Sequence, residues 1–214
     1  MIEFLLQLIY PNVCGFCKQF DKECLCKKCE LKLKELDRTR IDNYKNKYFN
    51  RHAYIFKYDG EIRKLMLDYK FNDNAYLYKT FAKIILNNKK ICDFIKLYDL
   101  IIPIPLHKKR LNSRGYNQSE LIIKEACRNI KNLTLENKVL IKTGKNLPQS
   151  TLNKRERINN VKNVYNIKNN KIIKNKKILL FDDIYTTGST ANECARILID
   201  NEAKEVGIFT IAKD

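Results

Sequence analysis

The sequence predicts an α/β protein: a parallel sheet flanked by helices, with a small cysteine-rich module in front of it. Three observations predict this. Tyr98–Leu106 (YDLIIPIPL) and Lys176–Asp183 (KKILLFDD) are continuous apolar runs, as strands buried on both faces require. Segments with apolar residues three and four apart alternate with such runs, and that order implies right-handed parallel crossovers. Five of the eight cysteines crowd into residues 14–29.

The 214 residues suit one main domain with a small appendage, divided here into 1–40 and 41–214. A hydrophobic share of 44% is enough for a real core. The net charge of +18 suggests acidic partners such as nucleic acid, phosphorylated metabolites or an anionic membrane surface. Lys is accompanied by abundant Asn and Ile, the mark of an AT-biased genome, which accounts for the excess equally well.

The opening MIEFLLQLIYP has an apolar run too short to cross a bilayer, and it lacks the basic start and cleavage site of a signal peptide. It reads as an amphipathic helix closed by Pro11. No later segment is long and apolar enough to span a membrane. The expectation is a soluble, cytoplasmic protein without membrane insertion, where cysteines serve metals or catalysis more than disulfides.

Cys14 and Cys17 form one C-x-x-C pair, and Cys26 and Cys29 form a second. Two such knuckles supply the four sulfur ligands of a closed, structural Zn2+ site with no position left for water. Gly15 eases the first turn, and Cys24 is a spare thiol. Free or redox-active thiols are the alternative. Cys92, Cys127 and Cys194 stand alone in helical or apolar contexts and read as core residues. The segment Lys28–Arg38 should follow as a helix, with Leu31, Leu33 and Leu36 partly covering the module.

After a polar stretch near Arg40–Asn50, His52–Tyr58 reads as a strand, and Gly60–Phe71 and Tyr76–Asn88 read as helices. Asn117–Ile130 is an amphipathic helix with Asn117 or Ser119 as its N-cap. Lys138–Lys142 is a short strand, Ser189–Asn201 a helix and Glu205–Ala212 a final strand. Asn169–Lys177 reads as a surface turn.

The stretch ILLFDDIYTTGST (Ile178–Thr190) carries the chemistry. In open α/β sheets ligands bind beyond the carboxyl ends of strands. Asp182 and Asp183 stand at such an end, and the following turn enters a helix. Backbone N–H groups and hydroxyls of that turn can wrap a phosphate, and Gly188 permits the tight turn. Carboxylates would repel the phosphate if they faced it, so a ribose diol is their natural partner.

These residues resemble the signature of the type I phosphoribosyltransferases: four apolar residues, two acids, two apolar residues and a small-residue loop, with Ser189 at the second glycine. The resemblance implies a type I phosphoribosyltransferase-like fold and binding of 5-phosphoribosyl 1-pyrophosphate. Asp182 and Asp183 would hold the ribose hydroxyls, and Thr186, Thr187, Gly188, Ser189 and Thr190 the 5-phosphate, with Ile184 and Tyr185 lining the site. Three further segments, PIPLHKKRLNSRGYNQSE, LPQSTLNKRERINNV and MLDYKFND, together with the C-x-x-C pairs, resemble the ComF competence family over nearly the whole chain.

His107, Lys108, Lys109, Arg110 and Arg114 form a dense positive loop, with Gly115 for close approach. Such charge suits a departing pyrophosphate accompanied by Mg2+, and guanidinium forks favour Arg110 and Arg114 for that role. Lys145–Asn160, carrying Arg155 and Arg157, resembles a mobile catalytic loop. The family match also brings Lys70 to the site. No residue names the acceptor. Beside a phosphoribosyltransferase stand a single-stranded-DNA-binding competence protein and a ligand-sensing regulator. The DNA reading draws on family association with DNA uptake, on the charge, and on Tyr44, Tyr48, Phe49 and Tyr54 amid lysines, which are stacking rings or core.

Overall fold

The computed structural model describes residues 13–71, 74–130, 133–144 and 164–214. Helix α1 (Lys27–Leu36) leads into strands β1 (Arg40–Asn43) and β2 (Arg51–Lys57). Helices α2 (Gly60–Phe71), α3 (Leu77–Asn87) and α4 (Lys89–Ile95) follow, then β3 (Leu100–Pro103). Next come α5 (Lys108–Arg114), α6 (Gln118–Cys127), β4 (Thr134–Leu135), β5 (Leu140–Lys142) and β6 (Tyr165–Ile167). The chain closes with β7 (Lys177–Tyr185), α7 (Ser189–Asp200) and β8 (Glu205–Lys213).

Six strands form one sheet in the order β1-β2-β8-β7-β3-β4, parallel except at the β1–β2 edge. The apolar run of β7 explains its central place: Ile178, Leu179, Leu180 and Phe181 are all fully buried. One face packs Leu179, Phe181 and Phe209 against α2, α3 and α6, and the other packs Ile178, Leu180 and Ile208 against α7 and the β5–β6 pair.

Several expectations need correction. Strand β7 runs two residues further than expected, to Tyr185, with Asp182, Ile184 and Tyr185 in register with β8, so the acids stand just inside its carboxyl end. The face alternation also slips at the acids: Ile184 packs with the α2/α3 side and Tyr185 with the α7 side. Two side-chain caps hold the slip, Asp182 Oδ1 accepting from Asp183 N (2.9 Å) and Asp183 Oδ1 from Ile184 N (2.7 Å). The polar Arg40–Asn43 stretch is a strand because β2 offers it an antiparallel edge. Strand β5 pairs with β6 outside the main sheet. The basic loop at 108–114 is helical, N-capped by His107 Nδ1, which accepts from Lys109 N at 3.1 Å. Leu33 is buried and Leu36 half-buried, but Leu31 faces solvent.

Candidate functional site

Two centres stand out: a carboxylate pair beside a small-residue turn, and a sulfur cluster. Asp183 forms an ion pair with Lys70 Nζ of α2 at 2.9 Å. Asp182 Oδ1 accepts from Ser119 Oγ of α6 at 3.2 Å. Asn117 caps α6 by accepting from Ser119 N, which fixes that serine. Helices α2 and α6 thus each present one polar side chain to one acid.

Burial, then the neighbouring Asp183 charge, pushes the Asp182 carboxyl up to about 7, against the opposing pull of Lys70. Burial alone would lower the Lys70 ammonium, but the attraction of Asp183 and Asp182 outweighs it and leaves Lys70 above its ordinary value. The site therefore holds one acid in a committed ion pair and one near its titration point.

The turn after β7 is shaped by Gly188. Its φ of 71° lies in the left-handed region, and a Cβ there would fall 2.1 Å from Tyr185 Oη. The Tyr185 ring stacks on buried His52 (centroids 4.2 Å apart) and meets Phe49 edge-on. The N-cap of helix α7 is Gly188, which has no side chain to offer, and Thr187 Oγ1 accepts from Ser189 N at 3.4 Å. Thr187 Oγ1 and Ser189 Oγ lie 2.9 Å apart beside a pocket lined by Asp182, Ile184, Tyr185, Thr186–Thr190, Ala191 and Thr210. A helix start led by glycine, with hydroxyls beside it, is a donor set that suits an anion.

Of the residues expected at the site, Asp182, Ile184, Tyr185, Thr186, Thr187, Gly188, Ser189 and Thr190 line that pocket, and Asp183 turns to Lys70 instead. Arg110, Arg114 and Gly115 lie outside it. Arg110 is exposed on α5, and the Arg114 guanidinium lies over the Phe71 ring at 5.5 Å. Gly115, at φ 77°, closes α5 as a left-handed cap, reason enough for glycine there. The segment 145–160, with Arg155 and Arg157, is outside the described residues. Thr210 and Lys142 had no motif to mark them, and Ser119, within PIPLHKKRLNSRGYNQSE, read only as a candidate helix cap. Burial lowers the Lys142 ammonium, with Arg110 adding to the effect and Cys194 and Asp182 opposing it.

The sulfur atoms of Cys14, Cys17, Cys26 and Cys29 lie within 4.8 Å of one another, and Cys24 stands outside the cluster. Sulfurs of a tetrahedral zinc thiolate site are about 3.8 Å apart, and Cys17 Sγ and Cys26 Sγ are 4.0 Å apart. Burial would raise the Cys14 thiol, but amides of Cys17, Cys26 and Phe16 bring it down to about 7. Burial and the neighbouring thiols push Cys29 up. Four thiols this close cannot all ionise without a cation among them, so the donor set fits Zn2+. The knuckle is tightly seated: a Cβ on Gly15 would fall 2.2 Å from Thr80 Oγ1 of α3. Of the isolated cysteines, Cys194 is fully buried and Cys92 and Cys127 are half-buried.

The aromatics near β1 are mostly packed. Phe49 is core and Tyr44 packs beside it, whereas Tyr48 is 47% exposed. Among the described residues no helix is long and apolar enough to cross a membrane.

The phosphoribosyl transferase domain family matches residues 123–214, which contain both acids, the turn and α7. Residues 123–214 are thus a domain of the phosphoribosyltransferase type. The chain is 30% identical over 200 residues to competence protein ComFC of Streptococcus pneumoniae, covering 94% of this chain and 80% of that protein. It is 28% identical over 214 residues to competence protein ComFC of Bacillus subtilis, with coverages of 97% and 80%. Identity to the DNA utilization protein YhgH of Escherichia coli O157:H7 is 29% over 119 residues, covering 56% of this chain and 51% of that one. The chain belongs to the ComF competence-protein family.

Proposed function

We propose that this protein binds 5-phosphoribosyl 1-pyrophosphate and transfers its phosphoribosyl group in the service of competence and DNA uptake. One observation carries the reading: adjacent acids, each held by a separate helix, beside a glycine-led helix start with paired hydroxyls. In this reading Asp182 and Asp183 accept hydrogen bonds from the ribose diol. The Thr186–Thr190 turn donates to the 5-phosphate. Arg110 and Arg114 neutralise the departing pyrophosphate, Gly115 lets the backbone approach it, and Mg2+ arriving with the ligand supplies further neutralisation. Zn2+ on Cys14, Cys17, Cys26 and Cys29 serves as a structural staple for residues 1–40, which we treat as a module distinct from 41–214.

Calorimetry with phosphoribosyl pyrophosphate and Mg2+ tests this. Wild type should bind, and Asp182→Asn combined with Asp183→Asn should abolish binding while the melting transition survives. An absence of heat with wild-type protein refutes the reading. A competing reading, a DNA-binding protein that keeps the pocket as a sensor site, draws on the exposed cations Lys108, Lys109 and Arg110 along α5. It demands affinity for single strands that falls steeply with salt.

A further inference from the structure

Lys213, the last residue of β8, stands in register with Tyr185, the last residue of β7. Its ammonium lies over three tyrosine rings, 5.1 Å from the centroid of Tyr54 and 5.9 Å from those of Tyr44 and Tyr185. Asp42 Oδ2 pairs with it at 2.6 Å, and it also donates to Tyr44 Oη at 3.3 Å. The side chains of Lys213 and Asp42 are only 24% and 19% exposed. A cation so enclosed interacts with rings more strongly than one in water. Tyr44 and Tyr54, two of the rings set among lysines in the sequence, thus turn to an internal cation. Tyr185 is where this enclosure meets the candidate site. It lines the pocket, and its hydroxyl abuts Gly188, where a Cβ would fall 2.1 Å from it. His52 stacks on the Tyr185 ring and Phe49 meets its edge, so Lys213 completes a set of contacts that leaves the ring little room.

We propose that Lys213 is a positioning residue for the phosphate turn. Its ammonium, held by Tyr44, Tyr54 and Asp42, fixes the Tyr185 ring against Gly188 and so sets the Thr186–Thr190 turn in the geometry that receives the 5-phosphate. The inference rests on the phosphoribosyl reading of that turn. Lys213 does not line the pocket, so it acts through the ring and not by touching the ligand. A ring that shifts moves the backbone it abuts, and the turn's hydrogen bonds to an anion weaken steeply as their geometry degrades. Asp42 lies on β1, at the edge of the sheet, so the same ammonium ties that edge to the candidate site.

Calorimetry of the full-length protein with phosphoribosyl pyrophosphate and Mg2+, joined to phosphorus NMR of the saturated complex, tests this. The 5-phosphate and the pyrophosphate give separate signals. Lys213→Met keeps the length of the side chain and removes its charge. It should weaken the ligand roughly fivefold or more. It should also move the bound 5-phosphate signal from its wild-type position and leave the pyrophosphate signals in place. Lys213→Arg, whose guanidinium can also lie over the rings, should restore affinity to within about twofold of wild type. Arg40 reaches Asp42 at 3.5 Å, so Lys213→Met does not leave that carboxylate alone. If the Met variant nonetheless fails to fold, Lys213→Met combined with Asp42→Asn removes both charges, and the same results are expected of it. Affinity within about twofold of wild type in the Met variant, an Arg variant as weak as the Met variant, or a shift confined to the pyrophosphate signals overturns the inference. So does a lower Tm with affinity unchanged, which makes Lys213 a packing residue alone. If wild type does not bind phosphoribosyl pyrophosphate, the functional reading fails and this inference with it. If wild type binds and the Met variant binds as well, only the inference fails.

Discussion

Asp182→Asn should make the protein more stable at neutral pH while removing a ligand-binding group. Asp182 is held at about 7 instead of 3.8, chiefly by burial and secondly by Asp183. Converting that difference gives a ceiling of about 4 kcal/mol. Solvent reaches Asp182 from the pocket, and screening leaves roughly half, about 2 kcal/mol. Below about pH 4 both folded and unfolded Asp182 are protonated, and wild type and variant should differ little on this account. Between about pH 4 and pH 7 the unfolded chain ionises while folded Asp182 keeps its proton, so wild type loses stability as pH rises. Above about pH 7 the gap is constant. Asn can still accept from Ser119 Oγ and Asp183 N, so the comparison isolates the charge. Thermal melts of both proteins at about pH 5 and about pH 8 measure it; about two thirds of the effect develops in that span, so the gap in Tm should be about 3–5 °C wider at the higher pH. A gap that does not change with pH, or a variant less stable at about pH 8, refutes the assignment of strain to Asp182. The same titration predicts ligand affinity that declines as pH falls below about 7, where the carboxylate is lost as an acceptor for the diol.

Two glycine substitutions separate backbone strain from collision. Both sites have φ near +70°, but a Cβ at Gly115 meets nothing within 4 Å, whereas one at Gly188 meets Tyr185. Gly115→Ala should cost about 1–2 kcal/mol and Gly188→Ala about 1–3 kcal/mol more, read by urea melts, and equal losses would show that the Tyr185 contact is soft. In the sulfur cluster, Cys29→Ser should drop zinc content from about one per chain toward none and lower Tm, while Cys24→Ser leaves the metal in place. Metal analysis beside calorimetric melting checks this, and equal loss in both variants would mean that Cys24 is a ligand.

Elements with strong periodicity were legible in the sequence. Gly60–Phe71 forms a helix over the full range expected, and the helix after Gly188 begins at Ser189 as its turn chemistry implied. The acids and turn were legible because no ordinary capping pattern calls for paired aspartates before small hydroxyls. What stayed hidden depended on partners distant in sequence. Arg40–Asn43 has no alternating pattern and is a strand only because β2 lies beside it. The slip that turns Asp183 toward Lys70 breaks the two-residue period from which facing is normally read. Ser119 looked like a helix cap, and only the fold brings it to Asp182. Phe49, among lysines and asparagines, read equally as a stacking ring or as core, and it is core because Tyr44 and Tyr185 close around it.

The position of β8 bears on how the chain comes off the ribosome. This strand, made after residue 204, lies between β2 and the acid-bearing β7. At ordinary elongation rates β2 waits on the order of ten seconds after its own synthesis for its parallel neighbour. Throughout that interval an apolar edge with Ala53, Ile55 and Phe56 has no strand to pair with on that side. Nascent chains stalled before residue 205 are therefore the ones most exposed to aggregation and most in need of a holdase.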